Sequence, residues 1–501
     1  NEVHRMETFD MDATNGFLDS KWYHLYCSVQ RCNSALRVLN AATDEQVNGR
    51  VSRIAEMKVL RAHYYFELSR LFNKIPYFDE NVEISQYPDI PNNEFTRDEI
   101  LSMLAEEMLD AAEQLPASQP EVGRIHKYIA LAYAAKIKLY QAYQQDEITH
   151  AVTSINKELL REVVSLCDQV TASNRYGLLD DFQGLDLVAN ENGKESVFAI
   201  QYSMNDGTES AGRINWSNLL NSPGGGSPYG GDGFFLPSQD LINAYQTDAN
   251  GLPDFNYQSK SDYSWAVLNN GVYTLQNTTP NVDPRLDFVV GRPTITWKTY
   301  PDKPCEGWVR DKETYGYNCA KRFWVSPESS DMFNGWPWGA SQLNWQIIRY
   351  ADILLWKAEA LIELNEGNGL ETARDLINQI RNRARNSAYV KDFNDHSKYA
   401  ANYLVNPYPA DVWNQDYARQ ALRWETRLEK ALEGERFFDL VRWGIVETTM
   451  NKYIAAESDN RIYYANAHFT GGKDEYYPVP NNQYGFSGGK YVQNPGYAPF
   501  N

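Results

Sequence analysis

Tryptophan is the residue whose placement in this 501-residue sequence points most directly to chemistry. Seven of the 13, Trp216, Trp265, Trp297, Trp308, Trp324, Trp336 and Trp338, fall within residues 201–342, nearly twice their even share, in a stretch rich in Gly, Pro, Asn, Asp and Tyr. A ring held open on a loop stacks on the apolar C–H face of a pyranose while nearby amides and carboxylates bond its hydroxyls. The same ring turned inward staples an irregular loop to its scaffold, and for any single tryptophan this is the commoner use. Trp336-Pro337-Trp338 stands between Asn334-Gly335 and Gly339, with little local apolar sequence to cover two rings, so these two are predicted to face ligand. The candidate glycan-binding set is Trp336, Trp338, Trp308 and Trp265 as aromatic platforms, with Asp331 and Asn334 as hydroxyl partners.

Other chemistries find less support. Glycoside hydrolysis needs two carboxyls roughly 5 to 9.5 Å apart, and any of 66 Asp and Glu could supply them. Most, however, stand on helical faces beside Lys or Arg, as Glu425 and Glu429 do with Arg423 and Arg427, which reads as surface or interhelical ion pairing. The sequence has no GxSxG elbow, HExxH or P-loop, and its seven His show no ligand spacing. Gly224-Gly225-Gly226 and Gly230-Gly231 neither follow a buried strand nor open a helix, so they read as flexible loop rather than phosphate cradle. The five cysteines show no CxxC pair or zinc spacing. Cys27, Cys32 and Cys167 fall in helical patterns as small hydrophobes, whereas Cys305 and Cys319 flank a loop and could bridge in an oxidising compartment. Neither cofactor nor metal nor catalytic residue is expected.

Forty-seven Lys and Arg against 66 Asp and Glu leave a net charge of -19, with no basic stripe for a phosphate backbone. Nucleic acid is excluded as a partner, and a neutral ligand suits this field better than a polyanion. No apolar run reaches the roughly 18 residues of a membrane span.

The elements that must position these side chains are mostly amphipathic helices. Thr96 and Glu99 have capping-box spacing ahead of the stripe Ile100, Leu104, Met108, Ala112 and Leu115, predicting a helix over 97–115. A second is predicted over 124–143, and further pairs over 21–40 with 47–73 and 345–366 with 370–386, the last broken by the turn at 365–369. Repeated helix pairs near the tetratricopeptide length of roughly 34 residues predict a mainly α, helical-repeat scaffold, although that repeat's consensus letters are not cleanly written. Residues 201–342, with the Gly-rich run 222–233 and a short pattern at 238–245, read as a loop-rich insertion between scaffold parts 1–200 and 343–501 of one domain.

Four ordered segments spread over about 440 residues resemble the SusD/RagB family of outer-membrane glycan-binding lipoproteins. They are Glu56 to Phe66 running on to Leu71 to Pro76; Ile347 to Ala360 with Ala373 and Ile377 to Ala384; Arg427 to Trp443; and Tyr477-Pro478-Val479-Pro480 with Gln493 to Tyr497. Physically these segments read as structural, with Arg349 and Asp352 on a helix whose Ile348, Ala351, Leu355, Ala358 and Ile362 form a buried stripe, and with Trp22, Trp345, Trp424 and Trp443 in the scaffold. The resemblance implies four tetratricopeptide-like helix pairs and a loop-rich ligand face. It also implies an acylated Cys ahead of Asn1 holding the protein on the cell-surface face of the outer membrane, and a SusC-like TonB-dependent transporter as the partner it caps. Family binding sites vary with the glycan, so no binding residue transfers by motif.

These readings converge on a non-catalytic glycan-binding protein that captures oligosaccharide or polysaccharide and delivers it to a transporter. A secreted helical-barrel glycoside hydrolase or lyase would share the size, acidity and Trp content. A peptide-binding tetratricopeptide adaptor would explain the helices but not the Trp-rich insertion.

Overall fold

The structure, a computed structural model, describes residues 2–500 except 210, 211, 219, 222, 270, 271, 277–279 and 337. Pro337, between the two loop tryptophans, and Ser222, at the start of the Gly-rich run, therefore lie outside the described residues. The chain divides into two units, one made of residues 1–174, 437–454 and 466–501, the other of 175–436 and 455–465.

In the first unit, helices α1 (Gly16–Ala41), α2 (Arg50–Phe72), α3 (Arg97–Gln114), α4 (Lys127–Ala142) and α5 (Lys157–Ala172) pack in succession, each against the next. Their starts are set by polar caps. Asn15 accepts from the Phe17 and Leu18 N–H groups, Asn156 does the same for α5, and Thr96 and Glu99 form the reciprocal box that their spacing predicts. Helix α4 is buried nearly all round, with Ala130, Ala132, Ala134, Ala135 and Ile137 fully covered, as expected of a helix with neighbours on every side.

The first and fourth family-like segments meet here. The Tyr477 N–H donates to the Leu71 carbonyl at 2.8 Å, and the Asn494 amide donates to the Phe72 and Tyr477 carbonyls at 2.7 Å each. Asn494 thus satisfies carbonyls at the open end of α2, where the helix itself has no donors left. Arg61 of the same helix bonds Asn33 at 2.8 Å and pairs with Glu80 and Glu107.

In the second unit, α6 (Tyr350–Leu364), α7 (Gly369–Asn386) and α8 (Gln415–Glu429) pack together. The helix expected from 345 starts later. Trp345–Arg349 is instead strand β2, paired antiparallel with β1 (Ser196–Ile200) in the register Ser196↔Arg349 to Ile200↔Trp345. The β-branched pair Ile347-Ile348 suits a pleated surface, and the helix begins only where Asp352 Oδ2 accepts the Arg349 N–H at 2.9 Å. Ile348 is therefore buried from a strand, while Ala351, Leu355, Ala358 and Ile362 keep the helical stripe. Of the four scaffold tryptophans, Trp22 and Trp443 are buried and Trp345 and Trp424 are half-buried.

The second and third family-like segments meet at a buried ion cluster. Arg349 pairs with Glu195 (2.9 Å), Glu429 and Glu433 (2.8 Å each); Arg383 pairs with Glu195 (3.1 Å) and Glu429. Arg285 pairs with Asp283, Glu425 and Glu429, and Arg381 with Glu425. The carboxylates expected to pair on or between helices are thus deep inside, but their partners come from other segments, not from Arg423 and Arg427. Burial alone would raise the Glu429 carboxyl, yet Arg383, Arg349 and Arg285 hold it down at about 2.

Residues 201–342 fall wholly within the second unit. Their short helix at Gln239–Ala244 matches the pattern at 238–245. All five cysteines are free: Cys305 is exposed, and Cys319 is buried with its Sγ 3.5 Å from the Gly291 carbonyl, so the bridge left open by their spacing does not form.

Candidate functional site

The insertion has a built floor. Tyr229, Trp297, Trp308, Val309, Cys319 and Trp324 form a buried cluster, with Trp297 edge-on to Trp308 at 5.2 Å. The Trp297 Nε1–H donates to the Tyr229 hydroxyl at 2.8 Å, and that hydroxyl donates to the Val325 carbonyl at 2.6 Å. Irregular backbone here is fixed by large rings whose polar atoms are paired.

Three segments rise from this floor and are tied to one another. In residues 329–342, Met332 bridges Ser341 and the Phe333 N–H donates to the Ala340 carbonyl at 2.8 Å, leaving 334–339 as the tip. Gly339 has φ +72°, and a Cβ there would sit 2.5 Å from the Trp324 ring, so glycine lets the tip close onto the floor. Residues 215–221 are anchored by the Asn215 N–H to the Ser341 carbonyl (2.9 Å) and the Asn218 amide to the Phe323 carbonyl (2.7 Å). Residues 229–235 join them through the Phe234 N–H and the Leu220 carbonyl at 2.9 Å.

On these tied loops large apolar side chains face solvent: Trp336 (62% exposed), Trp338 (54%) and Trp216 (46%), together with Leu220, Phe234 and Phe235. Burying such rings in water's place is favourable by roughly 25 cal/mol per Å² of apolar surface covered, so their exposure marks a surface made to be covered. Charges nearby are paired, Arg310 with Asp232 at 3.0 Å and Arg213 with Asp206 at 3.3 Å. Burial, to which the charge of Asp331 adds, pushes Glu191 up to about 7 even though it accepts the Asn344 N–H.

The six residues singled out from sequence separate into three groups. Trp336, Trp338 and Asn334 stand together on the exposed tip. Asp331 is half-buried at the loop base, where its two carboxylate oxygens accept from Gln342 Nε2 (2.7 Å) and Ser329 Oγ (3.1 Å); its evident work is to close the loop. Trp308 and Trp265 correct the expectation of open platforms. Trp308 is 2% exposed within the floor, and Trp265, 9% exposed, belongs to a different buried cluster, with Nε1 bonded to the Pro293 carbonyl and Arg292 over its ring at 4.5 Å. Trp216 was among the seven enriched tryptophans but was not selected. Phe234-Phe235, directly after the Gly-rich run, was the available signal for the third segment.

Among the described residues, no group of three or more His, Cys, Asp or Glu is arranged to hold a metal, and no helix is long and apolar enough to cross a membrane.

Comparison with known proteins agrees with this architecture. The pattern of the SusD family matches residues 194–497, and a second, described as starch-binding associating with outer membrane, matches residues 3–139. A SusD-like protein of Bacteroides ovatus is 22% identical over 87% of this chain and 67% of its own length. Among solved structures, a SusD superfamily protein from Bacteroides vulgatus superposes with a TM-score of 0.70 at 21% identity, covering 99% of this chain and 89% of that one. Surface glycan-binding protein A from Bacteroides fluxus gives 0.67 at 20% identity, with the same coverage. The 194–497 match exceeds half of the chain and takes in Arg349, Glu429 and Asn494, which hold the two units together internally: the chain belongs to the SusD family.

Proposed function

We propose that this protein is a non-catalytic, cell-surface glycan-binding protein that captures a neutral oligosaccharide or polysaccharide on its 215–341 loops. It passes that glycan to a SusC-like TonB-dependent transporter while held at the outer membrane by a lipid anchor preceding Asn1. The observation that carries the reading is the exposure of Trp336 and Trp338, with Trp216, on loops fixed to a rigid aromatic floor. Rings held in this way stack on sugar C–H faces without paying an ordering cost, and Asn334 stands beside them to bond hydroxyls. Support comes also from the glycan-binding description of the Bacteroides fluxus neighbour and from the starch-binding, outer-membrane description of the pattern over 3–139.

The test is affinity electrophoresis through gels containing starch, laminarin or xylan. Wild-type protein is retarded in at least one gel; Trp336→Ala/Trp338→Ala migrates as in a blank gel, with an unchanged thermal melt. Equal retardation of the double variant overturns this site. Sustained release of reducing ends by the purified protein overturns the non-catalytic reading.

A further inference from the structure

None of the loop-tip residues lines a separate cavity of ≈ 370 Å³ in the second unit. That volume lies at the small end of the roughly 300–1,000 Å³ range of ligand clefts. Tyr263, Trp265, Tyr315 and Tyr317 stand in its walls. Two of these rings are stacked, Tyr263 with Trp265 at 6.1 Å, and Tyr315 is held edge-on to Tyr463 at 5.7 Å. The walls are therefore aromatic and fixed.

Acceptors converge on the same space. Asp262 takes hydrogen bonds from the Asn243 amide (2.8 Å) and the Asn460 amide (3.4 Å). Glu457 is 1% exposed; its Oε1 accepts the Asp240 N–H, but its Oε2 has no hydrogen bond, and Arg461 Nε stands 3.7 Å off. Asn318 Oδ1 is buried without a donor as well. Each unmet buried acceptor costs about 1–3 kcal/mol, so a cavity lined by two of them is built for something that donates. Burial pushes the Glu457 carboxyl up to about 7, with Arg461 facing it on one side and Asp240 and Asp262 adding like charge. A donor from a ligand would relieve that group.

Fixed rings supply apolar faces, and unmet oxygens ask for two or more donors from a molecule small enough for the cavity. We infer that this cavity is a second binding site for a single sugar ring, which donates hydroxyls to Glu457 Oε2 and Asn318 Oδ1 and is independent of the Trp336/Trp338 surface. The ring could arrive as a free monosaccharide or as the end of a glycan chain.

Saturation-transfer-difference NMR tests this with glucose, galactose, mannose, xylose and N-acetylglucosamine, each also as its methyl glycoside, at millimolar concentration. Transfer from protein aromatic protons to at least one sugar is expected, kept in Trp336→Ala/Trp338→Ala and weakened at least tenfold, about 1.4 kcal/mol, in Asn318→Leu. Tyr317→Ala serves as a second cavity variant should Asn318→Leu fail to fold. Equal binding of free sugar and methyl glycoside supports entry of a chain end, and loss with the glycoside supports a free reducing sugar. Absence of transfer from every probe, or full transfer in both cavity variants, overturns the proposal. A polysaccharide gel result that depends on Trp336 and Trp338 is unaffected by either outcome.

Discussion

The α6–α8 centre of the second unit buries charge, whereas the 215–341 loops of the same unit expose aromatic rings. Arg285, Arg349 and Arg381 are almost completely inside, each facing two or more carboxylates or carbonyls, while Trp216, Trp336 and Trp338 stand half or more in solvent. Both arrangements invert the ordinary preference, and for different reasons. Buried ions are tolerated only when every partner is present, so the cluster demands one register of β2, α7 and α8. Exposed rings demand nothing of their neighbours except a firm base, so they can change with the ligand without disturbing the fold. Stability is concentrated in the first region and recognition in the second.

The largest effect should come from breaking the ion cluster. Glu429→Ala leaves Arg349 and Arg383 without their shared carboxylate and should cost about 3–5 kcal/mol, read as a lower denaturation midpoint. The same residue fixes the acid behaviour. Its folded value of about 2 lies below its ordinary 4.5, so its contribution is complete above 4.5 and is lost as pH falls towards 2. Between those limits the wild-type melting temperature should fall more steeply than that of Glu429→Gln; parallel curves would remove Glu429 from the centre of the cluster.

Trp308→Ala tests whether the loop face has a rigid floor. It empties a site packed against Trp297 and should cost about 3–5 kcal/mol, with polysaccharide retention falling because the tip loses its support. A stable variant with full retention would show that the tip holds its own shape. Gly339→Ala is milder: a left-handed backbone and a Cβ driven into the Trp324 ring should cost about 1–3 kcal/mol and displace Trp338.

How much of this was legible in the sequence follows the same division. Helix pairs were readable because a 3.6-residue stripe is local, as in Ile100, Leu104 and Met108, and caps such as Thr96 and Glu99 lie three residues apart. Strand β2 was not, because Ile347-Ile348 runs unbroken into the apolar start of α6 and its partner Ser196–Ile200 lies about 150 residues away. The ion cluster was visible only as separate Arg- and Glu-rich segments, since Arg349 and Glu429 meet across 80 residues. In the insertion the excess of tryptophan was plain, but its sorting was not. Trp308 and Trp336 have similar glycine-containing surroundings in sequence, and only the packing of Tyr229 and Trp297 decides that one is floor and the other tip.

The smallest expected change in stability is the sharpest measure of the contrast. Trp216→Ala removes a ring that is 46% exposed at the start of a short helical turn, while Asn215 and Asn218 keep their bonds to the Leu343 and Phe323 carbonyls. The loop should hold its place, with stability within about 0.5 kcal/mol of wild type. Retention in the gel should nevertheless weaken, by less than in the Trp336/Trp338 double variant, because one stacking face is lost while the tip remains. A stability loss like that of Trp308→Ala would make Trp216 part of the floor, and unchanged retention would confine recognition to the 334–339 tip. Only the paired result, a quiet melt with a weakened gel shift, fits a surface whose rings are free to serve ligand because the fold does not depend on them.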